Sequence, residues 1–211
     1  MSLPAGTIVP PEDLEGLIAT RRTTNPTDFN GPEPDRDLIR RCIEVARKAP
    51  NHHRTEPAYF YLLSPRQIQG IARINADREA GPAPTPDLRK RADRKLKEWG
   101  ETPGLLIVTC HTDRDSELVR SKPAVIEEDY AAVCCMTQNL LLLLHNQGIA
   151  AKWSTAPVCE HSDFAEIVGL RHRLPGERVV ALLFYGWSEI LPKERRFRPL
   201  DEILLDGGSG E

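Results

Sequence analysis

The segment between residues 124 and 147 constrains the fold of this chain more than any other. It is apolar on nearly every helical face, and a short polar stretch at 137–139 separates its runs Ala131–Met136 and Leu140–Leu144. A membrane span needs about 20 consecutive apolar residues, and the polar stretch interrupts the run well before that length. Outside a membrane, a helix that is apolar all round is buried on several sides, and Gly148 is well suited to end it. The sequence therefore predicts a central buried helix and no membrane span.

The remaining pattern mixes helices with a few short strands. A second helix starts near Pro34 and ends at Pro50, and its predicted core stripe consists of Leu38, Ile39, Cys42, Val45, Ala46 and Ala49. Other helices are predicted from Pro10 and at Gln67–Ala80, Asp87–Trp99 and Asp163–Leu170, and strands at Ala58–Leu63, Leu105–Cys110, Ile149–Thr155 and Arg178–Trp187. Strands this few and widely spaced favour an α+β sandwich. We expect one domain over residues 1–211, with its core at about 12–200 and a tail at 201–211.

The composition gives no reason to expect a nucleic-acid or membrane partner. The 211 residues carry a formal net charge of −3, and the most basic run is interleaved with acids. Five cysteines, an odd number without a CxxC pair, indicate reduced thiols rather than a disulfide framework. No basic segment followed by an apolar run opens the sequence. We therefore expect a cytoplasmic protein without a signal peptide.

Several common catalytic signatures do not occur in the sequence. It has no GxGxxG, no Walker loop and no GxSxG elbow, so neither a Rossmann fingerprint nor a hydrolase is supported. The pairs Cys110-His111, Cys159/His161 and His52-His53 lack the ligand spacing typical of zinc. We therefore predict no metal site.

Two segments near the N-terminus carry polar residues that suit an anionic ligand. Arg21-Arg22-Thr23 follows the first helix, and paired guanidinium groups with a hydroxyl bind phosphate oxygens well. Taken alone, these arginines also fit a solvated helix end, where they complement the helix dipole. Pro50 stops the second helix, which places Asn51 and His52 on a loop that can face a ligand. We interpret His53 as an exposed loop histidine.

Two later segments extend this pattern. Gly148–Thr155 combines a helix end with small residues, which allow backbone to approach a flat ligand closely. The same segment also fits a plain helix C-cap followed by a core strand. After the last strong strand, Arg196-Phe197-Arg198-Pro199-Leu200 adds a second basic cluster, and a phosphate dianion would give both basic clusters a common ligand.

In this order, the segments resemble the nitroreductase family over nearly the whole chain, from Leu14 to about Leu200. Members open with Arg-Arg-Ser, carry Ala-Pro-Ser/Asp before the first strand, turn through Gly-Leu-Gly-x-x-Trp after the long helix, and end in a basic segment before Pro-Leu. The corresponding stretches here are 21–23, 49–57, 148–155 and 196–200. The resemblance implies a nitroreductase-like α/β sandwich, with a central mixed sheet flanked by helices. It also implies a homodimer with FMN in clefts between the subunits.

The resemblance further implies an activity and a set of contacts. Hydride would pass from NAD(P)H through FMN to a small electron-poor acceptor such as a nitroaromatic or a quinone, and we expect no indispensable side-chain acid or base. The implied cofactor-binding residues are Arg21, Arg22, Thr23, Arg196 and Arg198 for the phosphate, and Lys48, Asn51, His52, Trp153, Ser154 and Thr155 for the ring and ribityl chain.

The chain departs from the family pattern at three positions. Ala150 and Ala156 replace glycines, and Glu56 replaces a glutamine. Two alternatives therefore stay open: another flavin- or deazaflavin-dependent member of the superfamily, or a non-catalytic flavin-binding regulatory protein. The sequence specifies neither the physiological acceptor nor the choice between NADH and NADPH.

Overall fold

A four-stranded sheet forms the centre of the structure, which is a computed structural model that describes residues 10–190 and 196–205. The strands are β1 (Ala58–Leu62), β2 (Gly104–Cys110), β3 (Ala150–Ser154) and β4 (Arg178–Gly186). They lie in the order β1-β2-β4-β3, so β1 and β3 are the edges. The α-helices of the described residues are α1 (Pro11–Thr20), α2 (Arg36–Ala46), α3 (Pro65–Ala80), α4 (Pro86–Gly100), α5 (Glu117–Ser121), α6 (Val125–Asn146) and α7 (Phe164–Val168).

Alternate residues of the central strands supply two separate hydrophobic cores. Leu106 and Val108 lie in the core that includes α2 and α6, whereas Leu105 and Ile107 lie in the core that includes α3, α4 and α7. Every residue of β2 is buried, as expected for a strand whose two faces are both covered. The predicted α+β class, with helices flanking a central sheet, is confirmed.

The direction of strand pairing differs from the mixed sheet that the family resemblance implied. All neighbouring strands pair antiparallel. In the part of the chain that the structure describes, parallel pairing occurs as one isolated bridge between Thr23 and Ala151. This bridge forms because the segment after α1 runs alongside the start of the edge strand β3.

The predicted central helix is α6, which is 22 residues long. Gly148 has a φ of +72°, a conformation that glycine adopts at little cost. The amide N–H of Ile149 donates to the carbonyl of Leu144, and that of Gly148 donates to the carbonyl of His145, each at 2.9 Å. These two hydrogen bonds form a Schellman motif. The helix therefore ends where the glycine predicted, and the chain enters β3 directly.

Part of the apolar surface of α1, α2 and α6 is not covered by the residues that the structure describes. Val45, predicted in the core stripe of α2, is 50% exposed, and that prediction is wrong because only a narrower stripe of the helix faces α6 and the sheet. Leu14 on α1 is 49% exposed. A groove of about 810 Å³ runs between these helices. We name this groove the α1–α6 apolar surface, and its apolar side chains are Leu14, Leu17, Val45, Leu142 and Leu143.

The sequence patterns did not predict several of the shortest helical elements. The helix α5 and the 3-10 turns Pro26–Asp28 and Pro157–Glu160 are each five residues or fewer, too short for a helical period to be recognised. Among the described residues, no helix has both the length and the apolar character needed to cross a membrane.

The contact between Gly104 and Tyr185 gives a test of the fold. The two residues are register partners in β2 and β4, and a Cβ at position 104 would overlap the buried ring of Tyr185. We expect Gly104→Ala to lower the free energy of unfolding by about 1–3 kcal/mol, measured by urea denaturation. In a Tyr185→Leu background the same substitution should cost clearly less, because the ring is no longer there. An equal cost in both backgrounds would contradict this packing.

Candidate functional site

The arginine pair after α1 lies against the start of β3. Thr23 forms the bridge with Ala151, and the amide N–H of Thr24 donates to the carbonyl of Ala151 at 3.2 Å. Nη1 of Arg22 donates to the carbonyls of Ala19 and Arg21, so this side chain caps the C-terminus of α1. The helix-end interpretation of Arg22 is therefore correct in part. Its remaining donors are still available to a ligand.

A small pocket of about 180 Å³ separates this pair from the end of α6. Arg21, Arg22, His145 and Gly148 are among the residues that line it. Neither arginine forms an ion pair with a carboxylate of the described residues, and the buried Nε of Arg22 has no hydrogen-bond partner there. A buried donor without a partner costs about 1–3 kcal/mol. The pocket therefore offers positive charge and a free donor to an anion.

The electrostatics of the pocket reflect this uncompensated charge. Burial, together with the neighbouring Arg22, lowers the pKa of Arg21. Burial also lowers the pKa of His145, and the charges of Arg21 and Arg22 add to that effect. The His145 ring is therefore neutral at pH 7, and its Nε2 lies 3.0 Å from the hydroxyl of Thr20. An anion in this pocket would relieve the repulsion among these groups.

The free edge of β3 lies next to the arginine pair. Backbone groups of residues two apart point the same way along a strand, so Trp153 presents its N–H and C=O on the same edge as Ala151. No other described element pairs with them there. The Trp153 indole is held inside, where Nε1 donates to the carbonyl of Val180 at 3.2 Å. The strand therefore offers backbone, rather than this large side chain, to a ligand.

Thr155, just beyond β3, lines a larger cavity. The cavity has a volume of about 800 Å³ and lies between the segments that follow β3 and precede β4. Arg114, Cys159, Leu174 and Arg178 contribute to its lining. This volume is in the range typical of small-molecule sites. No sequence pattern predicted this cavity, because its walls come from three separate segments of the chain.

The loop after α2 is held by a buried carboxylate that the sequence analysis missed. Asp129 on α6 is 1% exposed. One of its oxygens accepts hydrogen bonds from the Thr55 hydroxyl and the Asn51 amide, and the other accepts from the Thr112 hydroxyl at 2.7 Å. Acidic residues in the first turns of a helix commonly complement its dipole, so Asp129 does not stand out from its acidic neighbours in the sequence. No local pattern could reveal hydrogen bonds that join residues so distant in sequence.

The same loop has an unusual backbone. Arg54 and Glu56 have φ values of 54° and 49°, a left-handed conformation that is uncommon for residues other than glycine. The Oδ1 atom of Asn51 accepts the amide N–H of Glu56 at 2.9 Å, which helps to hold this conformation. Such strained segments are concentrated at functional sites. Asn51 therefore organises the loop, and His52 is exposed on it.

The predicted site residues do not all lie together in one chain. Arg21–Thr23 and Trp153–Ser154 lie along the β3 edge, with the arginines close to His145. Asn51 and His52 lie instead beside Asp129 and Glu128, near the other end of α6. At about 1.5 Å of rise per residue, Asp129 and His145 are about 24 Å apart along the helix axis. Lys48 is exposed just after α2.

The two arginines of the C-terminal segment remain separate from these groups. Arg196 and Arg198 are exposed and form no ion pair or hydrogen bond with other residues that the structure describes. Residues 191–195, which directly precede this segment, lie outside the described residues. The convergence of both basic clusters on one phosphate therefore stays a prediction.

The Asp129 network gives a stability test. We expect Asp129→Ala to lower the free energy of unfolding by about 2–4 kcal/mol, because it leaves the hydroxyls of Thr55 and Thr112 without their acceptor. The measurement is urea denaturation. The control is Glu127→Gln, whose side chain is 75% exposed and which should change stability by less than about 0.5 kcal/mol. Similar small effects in both variants would show that the network does not hold the loop.

Comparison with known proteins identifies the family. The family model described as the nitroreductase family matches residues 18–187. A Bacillus subtilis (strain 168) protein, provisionally named NAD(P)H nitroreductase YfhC, is 27% identical over 194 residues, which are 92% of this chain and 93% of the relative.

Solved structures agree in fold. A nitroreductase-like family protein from Bacillus cereus superposes with a TM-score of 0.73 at 23% identity, over 98% of this chain and 100% of the other. An FMN- and NADPH-dependent nitroreductase from a Sphingopyxis species, NfnB, superposes with a TM-score of 0.67 at 18% identity, over 92% and 98% of the two chains. The family model covers most of the sequence, and these structures share the fold. The chain therefore belongs to the nitroreductase family.

Proposed function

We propose that this protein is an FMN-dependent oxidoreductase that transfers hydride from NAD(P)H to an electron-poor acceptor such as a nitroaromatic or a quinone. The observation that carries the proposal is the half-buried arginine pair, Arg21 and Arg22, which has no carboxylate partner among the described residues and adjoins the free edge of β3. The arginine pair suits a dianionic phosphate, and the backbone along the free edge of β3 suits a flat polar ring. The named relatives, an NAD(P)H nitroreductase and an FMN- and NADPH-dependent nitroreductase, support the same activity.

The residues present fit an FMN phosphate. The guanidinium groups of Arg21 and Arg22 line the small pocket, and the Nε of Arg22 needs an acceptor. Thr23, the next residue along the chain, would add its hydroxyl. Because the pKa of His145 is lowered by burial and by the two arginines, its neutral ring can donate one hydrogen bond to a phosphate oxygen without adding charge. Arg198 and Arg196, on the C-terminal segment, would complete the phosphate contacts.

The fit extends to the ring system. The backbone N–H and C=O of Trp153 can form hydrogen bonds with the polar edge of an isoalloxazine ring. An added peptide strand pairs with an exposed sheet edge through the same kind of backbone groups. Ser154 and Thr155 add hydroxyls beside it. When FMN is bound, it supplies the hydride chemistry. The side chains would orient it and exclude water, so we expect no protein group to be an indispensable acid or base.

The separation of the two residue groups favours a site built by two copies of the chain. Arg21 and His52 lie near opposite ends of α6, so one chain does not surround a single flavin with both. A second copy could cover the α1–α6 apolar surface and bring its own loop to the first copy's arginines. We therefore propose a homodimer whose flavin contacts at Lys48, Asn51 and His52 come from the partner subunit.

The larger cavity and the cysteines fit the rest of the proposal. The cavity of about 800 Å³ beside Thr155 is large enough for a small acceptor or a nicotinamide. All five cysteines are free, and burial raises the pKa of Cys159, in the cavity wall, to about 11. That thiol is therefore protonated and unreactive at pH 7. Free thiols fit a reducing compartment such as the cytoplasm.

The first experiment is the visible absorption spectrum of the purified full-length protein, with the released chromophore identified by mass spectrometry. We expect FMN. Addition of NADH or NADPH without oxygen should then bleach the flavin absorbance, and a nitroaromatic or quinone should restore it. A deazaflavin, or FMN that neither nucleotide reduces, would overturn the proposed activity. Failure to take up FMN even in excess would overturn the proposed cofactor as well.

The phosphate contacts give a direct prediction. We expect Arg21→Ala/Arg198→Ala to raise the Kd for FMN at least about tenfold, because hydrogen bonds to a charged group contribute about 1.5–3 kcal/mol each. The measurement is fluorescence titration of the apoprotein. The matched control is Arg89→Ala on α4, an exposed arginine far along the chain from these segments. Equal Kd values for the double variant and the control would remove both arginines from the site.

A further inference from the structure

Glu177, which directly precedes β4, is a completely buried carboxylate that has no part in the proposed hydride transfer. Its Oε1 accepts hydrogen bonds from the hydroxyl of Tyr61 on β1, at 2.6 Å, and from the hydroxyl of Thr109 on β2. Its Oε2 accepts the amide N–H of His172 at 2.8 Å. Within the described part of the chain, no lysine or arginine forms an ion pair with it. These three donors therefore compensate for the burial of the charge.

The hydrogen bonds of Glu177 hold the segment between α7 and β4, residues 171–176, which we name the 171–176 loop. The amide N–H of Glu177 donates to the carbonyl of Arg173 at 3.0 Å. Arg173 has a φ of 57°, a left-handed conformation that is uncommon for residues other than glycine. At the start of the loop, the amide N–H of Arg171 donates at 3.0 Å to the hydroxyl of Tyr61, which itself donates to Glu177. One buried carboxylate therefore ties the loop to β1 and β2.

Contacts between aromatic rings hold the outer side of the same loop. Nε2 of His172 lies 2.9 Å from the hydroxyl of Tyr59 on β1. The ring of His172 stacks on that of His111, which directly follows β2, with centroids 3.6 Å apart and planes 10° from parallel. The loop is thus attached to the same two strands by its backbone and by a side chain.

The 171–176 loop forms one wall of the cavity of about 800 Å³ that Thr155 also lines. The loop contributes Leu174 and Pro175 to the lining. A wall that is fixed in advance does not have to be ordered by the ligand, which reduces the cost of binding. If the loop were released from the strands, each ligand molecule would have to order it again. Affinity in the cavity therefore depends on what holds the loop.

We propose that Glu177 is a positioning residue for the electron acceptor, because it fixes the 171–176 loop as a preformed wall of the cavity that binds this acceptor. The inference rests on the proposed function, which assigns the cavity to a small substrate. The carboxylate acts through the loop, since both of its oxygens already accept hydrogen bonds from the protein. The affinity for the acceptor should therefore depend on Glu177, whereas the limiting rate of hydride transfer should not.

The first measurement is hydrogen exchange of the purified full-length protein, followed by mass spectrometry at one pH and temperature for all variants. We expect Glu177→Ala to speed exchange in peptides covering residues 171–176 at least about tenfold, because the amide of His172 loses its acceptor. Peptides from α3 should exchange at the rates of the parent protein. Unchanged exchange in the loop would overturn the proposal.

The second measurement is stopped-flow reoxidation of the reduced flavin by 1,4-dinitrobenzene. Glu177→Ala should raise the half-saturating concentration of this acceptor at least about fivefold, because binding then has to order the loop. The limiting rate and the Kd for FMN should stay within about twofold of the parent values, since only binding of the acceptor is weakened. A joint loss of FMN affinity and limiting rate would indicate a general structural role and overturn the proposal.

Two further variants keep the test informative if Glu177→Ala folds poorly. Tyr61→Phe removes one hydroxyl and should raise the half-saturating concentration about threefold, because the amide of Arg171 loses its acceptor. Glu177→Gln keeps an oxygen for the amide of His172 and has an NH₂ group that the two hydroxyls can accept, so it should recover most of the parent's affinity. The matched control is Glu166→Gln, an exposed glutamate on α7, which should behave like the parent. Circular dichroism checks that each variant is folded.

The outcomes separate this proposal from the proposed function. If Glu177→Ala and Tyr61→Phe bind the acceptor as well as Glu166→Gln does, the positioning role is overturned, while reduction and reoxidation of the parent's flavin would still support the oxidoreductase activity. A parent protein whose flavin neither NADH nor NADPH reduces would overturn both.

Discussion

Burial of the helix α6 against the sheet is the constraint on which the other features depend. Its Val133, Leu140 and Leu144 pack in one core with residues of β2 and β4. The helix is therefore a rigid axis, with the arginine pocket near its C-terminus and the Asn51–His52 loop near its N-terminus. Because both groups contact this one helix, their separation is fixed by its length rather than by the loops that carry them.

The two ends of α6 use opposite kinds of charge. Near the C-terminus, two guanidinium groups lie next to a neutral imidazole and have no carboxylate partner among the described residues. Near the N-terminus, Glu128 and the buried Asp129 face hydroxyl, amide and imidazole groups. The first end is suited to an anion and the second to hydrogen-bond donors or a cation. Within one chain, this distribution places the candidate phosphate pocket and the Asp129 network at opposite ends of α6.

Two surfaces of the described chain, the edge of β3 and the α1–α6 apolar surface, remain uncovered. Beyond Ala151, backbone groups of the edge strand β3 have no partner among the described residues. An unpaired strand edge is a place where proteins add another strand, a ligand or a cover. The α1–α6 apolar surface leaves Leu14 and Val45 about half exposed. A flavin on the edge and a second copy on the apolar surface would cover both, which gives the proposed cofactor and the proposed dimer a common physical basis.

Local sequence patterns determined the elements and their order. The apolar periodicity and Gly148 predicted α6 and its end, and the short apolar runs predicted β2 and β4 to within about one residue, because these signals are carried by neighbouring residues. They also identified the order of motifs that the family shares. Local patterns did not predict relations between distant parts of the chain. These include the antiparallel pairing of all four strands, the exposure of Val45, and the distance between Arg21 and His52.

The tertiary structure alone decided which polar groups meet. Asp129 reaches Thr55, and Glu128 reaches both histidines, across more than 70 positions of sequence. These contacts depend on how α6 packs against the loop. That packing results from interactions among many side chains that are distant in sequence, so no short stretch of sequence predicts it. The sequence thus determined that this chain has a long buried helix, basic clusters and a histidine loop. Only the fold decided that the arginines adjoin a free strand edge, and that the histidines face a carboxylate.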